Sequence, residues 1–194
     1  MTKLKDTDIR FVLLNNLYDK YSDDNTTRIV NEMGVMHGQS RVDVAVINGV
    51  LHGYEIKSES DNLNRLPSQI SDYNLVFERM TIVVQRNYLE EVRQMIPKWW
   101  GIILVTKQKN NVNLKVLRKG KTNPNLDPFA LSSLLWKEEA LDILKKRGLQ
   151  KGFVSKPRKF IYQKMSESFS VDEIKYLVNE QLKSREDWKC LELQ

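Results

Sequence analysis

Residues 41–58 read RVDVAVINGVLHGYEIKS, and this stretch decides where the chain places its charged side chains. Apolar and polar residues alternate through residues 41–47 and return in residues 51–58, with Asn48-Gly49 between the two runs. Alternation with a period of two is typical of β-strands, and an Asn-Gly pair between two such runs is typical of a hairpin turn. The stretch therefore predicts two antiparallel strands joined by a short loop.

The length of that loop follows from which residues must face the core. Residues that pair directly across an antiparallel hairpin share a face, so the even-numbered apolar residues coincide only if the loop has an odd length. A two-residue turn at Asn48-Gly49 would instead direct Glu55 into the core. We therefore predict a three-residue loop or a bulge, with Gly49 in the left-handed conformation. The apolar residues that define the predicted core face are Val42, Val44, Val46, Tyr54 and Ile56.

This register gathers charged residues on the face opposite to those apolar residues. Asp43 and Glu55 lie near each other, and Lys57 lies one step further along the strand. Two neighbouring carboxylates repel each other unless a positive charge lies between them, and a divalent cation supplies that charge. Because no histidine or thiolate is near, the oxygen ligands suit Mg²⁺ or Mn²⁺ better than zinc. Lys57 can then hold an attacking water and balance the charge that develops on phosphorus.

Asp43 followed by Glu55-Ile56-Lys57 resembles the metal-binding signature of the PD-(D/E)XK nuclease superfamily, which includes restriction endonucleases and RecB-type nucleases. Gln69 and Tyr73, spaced i and i+4, are similar to the Gln-x-x-x-Tyr motif of RecB-like members. Glu32 resembles the acidic residue that often completes their site. One departure is that Val42, and not proline, precedes the aspartate. The match looks closest to small bacterial and phage-encoded members.

The resemblance implies an α/β protein of restriction-endonuclease-like fold, in which a mixed sheet is flanked by helices. It implies that one or two Mg²⁺ ions are held by Glu32, Asp43, Glu55 and the carbonyl of Ile56. The catalytic residues would be Asp43, Glu55 and Lys57, and the products would carry a 5′ phosphate and a 3′ hydroxyl.

Three residues spaced by four along one helical stripe extend this interpretation toward nucleic acid. The resemblance implies that Gln69 and Tyr73 approach the DNA backbone or the site, and Arg65 is placed to contact a phosphate. For Tyr73, packing in the core beside Ile70 and Phe77 is the alternative.

Charge is divided unequally along the 194 residues. Residues 1–91 hold 10 Lys and Arg against 14 Asp and Glu, a net charge of −4, whereas residues 92–194 hold 21 against 11, a net charge of +10. Such a basic half suits a polyanionic partner, although a solvated surface is the plainer explanation. The residues that we expect to bind nucleic acid, most simply DNA, lie in the acid-free residues 143–166: Lys145, Lys146, Arg147, Lys151, Lys156, Arg158 and Lys159.

The chain divides into two predicted parts. Residues 1–122 form the α/β core, and residues 123–194 form a basic extension of three helices. The first of these runs from Asp127, its N-cap, to Gly148, and the last begins with a capping box of Ser170 and Glu173. Pairing of two copies into a homodimer is open.

Several classes of protein are excluded by what the sequence lacks. No run approaches the length of a membrane span, and the charged N-terminus lacks the apolar segment of a secretory signal, so we expect a cytoplasmic protein without membrane contact. A single cysteine, Cys190, leaves no disulfide framework and no cysteine metal cluster.

The sequence predicts a metal-dependent deoxyribonuclease, and three alternatives stay open. The first is a DNA-binding regulator or repair accessory protein that keeps the fold without cleavage. The second is an inhibitor or protein-interaction module. The third is that Asp43, Glu55 and Lys57 are ordinary charged residues on the solvent-exposed face of a hairpin and have no catalytic role.

Overall fold

The structure is a computed structural model, and it describes residues 4–108 and 111–186. The strands of this part of the chain are β1 (Arg28–Val35), β2 (Ser40–Ile47), β3 (Leu51–Lys57), β4 (Arg79–Gln85), β5 (Gly101–Gln108) and β6 (Asn111–Arg118). The helices are α1 (Asp6–Lys20), α2 (Leu66–Val76), α3 (Leu89–Met95), α4 (Pro128–Ser132), α5 (Lys137–Lys146), α6 (Arg158–Ser168) and α7 (Val171–Ser184).

The strands form one mixed sheet in the order β1-β2-β3-β4-β5-β6. The first three strands are antiparallel, β4 and β5 run parallel to β3, and β6 returns antiparallel to β5. Helices α2 and α3 make the crossovers that the parallel pairs require. This confirms the predicted fold class, a mixed α/β sheet flanked by helices and followed by C-terminal helices.

The loop between β2 and β3 has the predicted odd length. Ile47 pairs with Leu51, so three residues connect the strands, and Gly49 has a φ of +89°. A side chain from the far end of the chain holds this loop, because Asn179 of α7 accepts a hydrogen bond from the Gly49 backbone N–H at 2.9 Å. The hydrophobic pattern thus fixed the register, and the C-terminal helix secures it.

The expectation that the odd-numbered residues of the hairpin lie opposite to the core was wrong, because both faces of the sheet are buried. Helix α1 packs on one face, where Ile9 and Leu13 join Val44, Val46, Tyr54 and Ile56 in one apolar cluster. The other face carries a larger cluster that includes Ala45, Ile47 and Leu51 together with α2. A sheet with parallel strands at its centre is usually covered on both sides. The sequence already contained a sign of this, because Ala45 and Ile47 are apolar residues at odd-numbered positions of β2.

The C-terminal helices pack on the same face of the sheet as α2. Buried residues Tyr162, Ile174 and Val178 belong to the same apolar cluster as Tyr73 and Phe77. The two parts of the chain that the sequence separates therefore share one hydrophobic core.

The helix predicted to run from Asp127 to Gly148 is two helices. Asp127 caps α4 as predicted, with its Oδ1 2.6 Å from the backbone nitrogen of Ala130. The chain then turns, and α5 begins after Trp136, whose backbone N–H donates to Glu139 at 2.7 Å. The described part of the extension therefore has four helices instead of three, and the predicted capping box of Ser170 and Glu173 starts the last of them.

At Glu32 in β1 and Asp43 in β2, the regular alternation of side chains between the two faces of the sheet is interrupted. Glu32 has a φ of +52°, which costs a non-glycine residue about 1–2 kcal/mol. On either side of it, Asn31 pairs with Val44 and Met33 pairs with Val42. In β2, Val42 packs in the cluster under α2, whereas Val44 packs in the cluster under α1. Asp43 lies between these two residues, so the distortion determines where its carboxylate points.

None of the helices in the described ranges is long and apolar enough to cross a membrane.

His52 on β3 provides a test of how the sheet is packed. Its Nε2 lies 2.9 Å from Thr81 Oγ1 and its ring stacks on Tyr54, while burial, with Lys20 and Arg79 nearby, lowers its pKa from 6.5 to about 3. The unfolded chain therefore takes up this proton near its ordinary pKa and the folded chain does not. The resulting stability is present above that pH and is lost as the pH falls toward about 3.

We expect the free energy of unfolding of the wild type to fall more steeply than that of the variant His52→Gln as the pH drops from about 6 to about 4. The expected extra loss approaches about 1.4 kcal/mol for each pH unit. Urea titrations of both proteins measure it, and other titrating groups cancel in the difference. Parallel pH profiles would show that the histidine is not buried as a neutral ring.

Candidate functional site

A polar cleft of about 480 Å³ opens where the ends of β2 and β3 meet the start of α2. Helix α1 closes one side of it with Asp6 and Arg10. The cleft brings together every residue that the sequence assigned to metal binding and catalysis, and two of the three on the helical stripe of α2, although Glu32 and Gln69 are 37 positions apart in the chain. Those residues are Glu32, Asp43, Glu55, Ile56, Lys57, Arg65 and Gln69.

Glu55 and Lys57 form a buried ion pair at the bottom of this cleft. Lys57 Nζ lies 2.7 Å from Glu55 Oε1, and the two side chains are 7% and 2% exposed respectively. Gln69 of α2 accepts a hydrogen bond from Lys57 at 3.1 Å and donates one to Glu55 at 2.7 Å. The amide therefore bridges the acid and the ammonium and fixes both.

Tyr73 is both a core residue and part of the site. Its ring is fully buried and packs edge-on against Phe77. Its hydroxyl, which has one hydrogen to donate, lies 2.9 Å from Glu55 Oε2 and 2.7 Å from the carbonyl oxygen of Arg41. With no exposed surface, Tyr73 cannot contact a nucleic acid directly as the sequence analysis allowed. The spacing of Gln69 and Tyr73 instead aims both side chains at the same glutamate.

Asp43 is held from two directions. Its Oδ2 accepts a hydrogen bond from the backbone nitrogen of Ile56 at 2.7 Å, which ties the distorted β2 to β3. Its Oδ1 lies 2.7 Å from Arg10 Nη2, and Arg10 also donates to the backbone carbonyl of Asp43 at 2.8 Å. Arg10 Nε also donates a hydrogen bond to Asp6 Oδ1, one helical turn away on α1, at 3.0 Å.

Sequence reasoning missed Arg10 and Asp6. Their i,i+4 spacing on α1 is a visible signal for an ion pair, but nothing local in the sequence reports that this turn of the helix lies over Asp43. The contact arises from the way α1 packs across the sheet.

Burial makes the two carboxylates of the site hold protons more tightly than usual. Desolvation and, after it, the nearby charge of Asp43 raise the pKa of Glu55 to about 7, although Lys57 and Tyr73 oppose the shift. Desolvation also raises the pKa of Asp43, and Arg10 opposes that shift. Because desolvation is the largest cause of both shifts, a cation bound between the two carboxylates would favour their ionised forms.

The oxygen atoms of the site have the chemistry that a magnesium ion prefers. Mg²⁺ is commonly held by one or two carboxylates, with waters and substrate oxygens completing its shell, so Asp43, Glu55 and the carbonyl of Ile56 fit this donor type. Each carboxylate oxygen of Asp43 and Glu55 already accepts a hydrogen bond from the protein. Within residues 4–108 and 111–186, no three His, Cys, Asp or Glu side chains form a group that could hold a metal ion.

Glu32 lies at the rim of the cleft and does not join the other two acids. Its side chain is 52% exposed and pairs with Arg41 at 3.2 Å, which the bend of the strand brings to the same side. The predicted convergence of three acidic groups is therefore reduced to two, because the left-handed backbone at Glu32 turns its side chain outward.

The cations that the sequence assigned to nucleic acid are exposed at the C-terminal end of the fold. Two of them end α5, Arg147 is the C-cap of that helix, two lie in the connection to α6 and two begin α6. In chain order they are Lys145, Lys146, Arg147, Lys151, Lys156, Arg158 and Lys159. Lys146 and Arg147 make surface ion pairs with Asp142 and Glu173. Arg65, the remaining predicted phosphate contact, lies on the wall of the cleft just before α2.

The fold and the cleft define a mixed α/β protein with a buried acid and lysine pair facing a polar cleft. The family described as Bacteriophage P4 protein cII matches residues 1–191, and the chain belongs to that family. Protein cII of Enterobacteria phage P4 is 29% identical over 182 residues, which cover 94% of this chain and 68% of that protein. No solved structure matches the chain.

Proposed function

We propose that this protein is a metal-dependent nuclease that hydrolyses phosphodiester bonds of DNA. The observation that carries the proposal is the buried pair of Glu55 and Lys57 beside Asp43, at the bottom of a cleft that opens to solvent. Burying these charges costs free energy that a structural role does not require, since apolar residues often stabilise such positions equally well. Charged groups with displaced pKa values in a cleft are typical of functional sites.

Phosphodiesters suit this cleft because its rim carries Arg41 and Arg65 as well as acids. The exposed cations of residues 145–159 extend the positive charge over the C-terminal helices. Sequence-independent contacts to phosphates of this kind supply most of the affinity of non-specific DNA binding. The proposal places the protein in the cytoplasm, where nucleic acid is accessible.

Asp43, Glu55 and the carbonyl of Ile56 would hold a Mg²⁺ or Mn²⁺ ion, with Glu32 near the rim. When bound, such an ion would lower the pKa of a water molecule and neutralise charge on the scissile phosphate.

Lys57 is the residue of this chain that we expect to act on the reacting phosphate. Gln69 and Glu55 hold its ammonium group, so its donors are oriented before substrate arrives. A fixed ammonium stabilises the charge that develops on phosphate oxygens and can hold the attacking water. Tyr73 and Gln69 act as positioning residues, because they fix Glu55 and through it Lys57.

Incubation of the purified protein with supercoiled plasmid tests the proposal. We expect nicked or linear products with Mg²⁺ or Mn²⁺ and intact plasmid with EDTA. An intact plasmid under all three conditions would reject the nuclease assignment.

A second candidate function is nucleic-acid binding without cleavage. One observation that favours it is that the Arg10 guanidinium already binds the Asp43 carboxylate, where a metal ion would have to bind. The other is that both carboxylates already accept hydrogen bonds from the protein. Salt-sensitive binding to the plasmid without metal-dependent cleavage would select this candidate. A protein-interaction module, the remaining class, would show neither cleavage nor salt-sensitive DNA binding.

A further inference from the structure

A second cavity, of about 350 Å³, lies on the far side of the turn that joins β1 to β2. The turn, residues 36–38, forms one wall of it. The segment between α4 and α5, the start of α6 and Arg185 form the other walls. Gly38 lines both the second cavity and the cleft, so a chain leaving the cleft across this turn enters the second cavity.

Trp136 provides a fixed aromatic platform in this cavity. The residue is 51% exposed, and the guanidinium of Arg185 lies 4.3 Å from the centre of its ring. Arg185 is itself fixed by Glu139, with Nε 2.8 Å from Oε1 and Nη2 2.5 Å from Oε2. Glu139 also accepts the backbone N–H of Trp136, so one buried carboxylate orients both the backbone and the cation under the indole.

His37 lies on the wall formed by the turn, in a strained backbone. Met36 and His37 have φ angles of 49° and 58°, in the left-handed region that non-glycine residues rarely adopt. The strain places the His37 ring within 22° of parallel to the Tyr162 ring, with the ring centres 6.0 Å apart. Strain of this kind is often retained where a side chain must be presented to a ligand.

Exposed positive charge lies at the wall of the second cavity that the start of α6 forms. Arg158 lines it, and Lys159 follows at the start of α6; both side chains are exposed. They lie within residues 143–166, which contain no acidic residue. Aromatic faces next to exposed cations are the combination that binds the bases and the phosphates of single-stranded nucleic acid.

We propose that the second cavity binds an unpaired base of a single-stranded segment that crosses Gly38 from the cleft, with Trp136 and His37 as stacking surfaces and Arg158 as a phosphate contact. A single strand is the occupant because a paired base has its faces covered by its neighbours and cannot enter a pocket of this size. The inference rests on the nucleic-acid partner of the proposed function but not on cleavage, and it specifies a substrate with a single-stranded region.

Fluorescence anisotropy in EDTA tests the inference without cleavage. The probes are a labelled oligonucleotide of about 12 thymidines, within the usual range of single-strand site sizes, and a blunt duplex of the same length. We expect Trp136→Ala to weaken binding of the single strand by about 5- to 150-fold, which corresponds to ~1–3 kcal/mol for one stacked base. Binding of the duplex should stay within about twofold of wild type, a small change in free energy.

Three further variants separate stacking from loss of structure. Trp136→Phe keeps an aromatic face and should retain most of the single-strand affinity. His37→Asn removes the imidazole but tolerates the left-handed backbone, so it should also weaken single-strand binding selectively. Tyr176→Ala is the matched control, because this 66% exposed aromatic residue lies on α7 outside the second cavity.

Three results would each overturn the inference, the last two of which concern the single strand alone. One is an equal loss of single-strand and duplex affinity in Trp136→Ala, which would indicate a general effect on the protein. The others are single-strand binding that is unchanged in both Trp136→Ala and His37→Asn, and single-strand binding that is absent in the wild type. Because every measurement contains EDTA, the inference stands or falls independently of whether the plasmid is cleaved.

Discussion

Replacing Lys57 with methionine should reduce the rate of metal-dependent plasmid cleavage by about 10²–10³-fold, the usual effect of removing one preorganised charge donor from an active site. Methionine preserves the length and the apolar stem of lysine, so the variant removes the ammonium group with little change in volume. Glu55 loses its positively charged partner but keeps its hydrogen bonds from Gln69 and Tyr73. Initial rates of nicking at saturating Mg²⁺ measure the effect.

Asp43→Asn and Arg93→Gln complete this experiment. Asparagine at position 43 keeps an acceptor for Ile56 but removes the carboxylate, so cleavage should be lost to a similar or greater extent. Arg93 makes only an exposed pair with Glu90 among the ion pairs found, and its replacement should leave the rate unchanged. Thermal unfolding of each variant separates loss of activity from loss of fold. Cleavage that survives in both Lys57→Met and Asp43→Asn would contradict the assigned roles.

Replacing Lys151, Lys156 and Lys159 together with glutamine should weaken binding to duplex DNA by about 10²–10³-fold at low salt. Each cation that neutralises a phosphate releases counterions, so the slope of log K against log salt should become shallower by up to about 3. All three side chains are exposed, so the fold should be retained. Anisotropy titrations across a range of salt concentrations provide both quantities.

The matched control removes three charges from the acidic half of the chain. The triple change of Lys5, Lys20 and Arg28 to glutamine alters net charge equally, and these residues lie far in sequence from the basic helices. The control should leave the slope near the wild-type value. An equal reduction in both triple variants would mean that affinity follows the net charge of the protein and not a localised surface.

The arrangement of the hairpin was predictable because the face to which a strand residue points depends only on its position among its neighbours in the chain. A strand repeats every two residues, so the apolar pattern on both sides of Asn48-Gly49 fixed the loop length, the register and the proximity of Asp43 to Glu55. The same holds for Gln69 and Tyr73, whose helical spacing places them on one stripe facing the sheet. Each of these inferences needed only neighbouring residues of the chain.

The parts that sequence reasoning missed depend on packing between distant elements. Arg10 reaches Asp43 only because α1 crosses the sheet at that level. Glu32 turns outward because its own backbone is left-handed, and the sequence gives no sign of this because the residue at that position is not a glycine. The break between α4 and α5 was hidden because residues 133–136 lack proline and glycine, while the capping contact from Glu139 starts a new helix.

Under the proposed function, Asp43 and Glu55 share a divalent ion at the bottom of the cleft. Crystals soaked in Mn²⁺ test it most directly, since anomalous scattering identifies the ion without reference to activity. We predict an anomalous peak about 2.1 Å from a carboxylate oxygen of each residue, the distance typical of a small divalent ion, and no peak in crystals of Asp43→Asn. Wild-type crystals without a peak, with Arg10 still bound to Asp43, would contradict the claim.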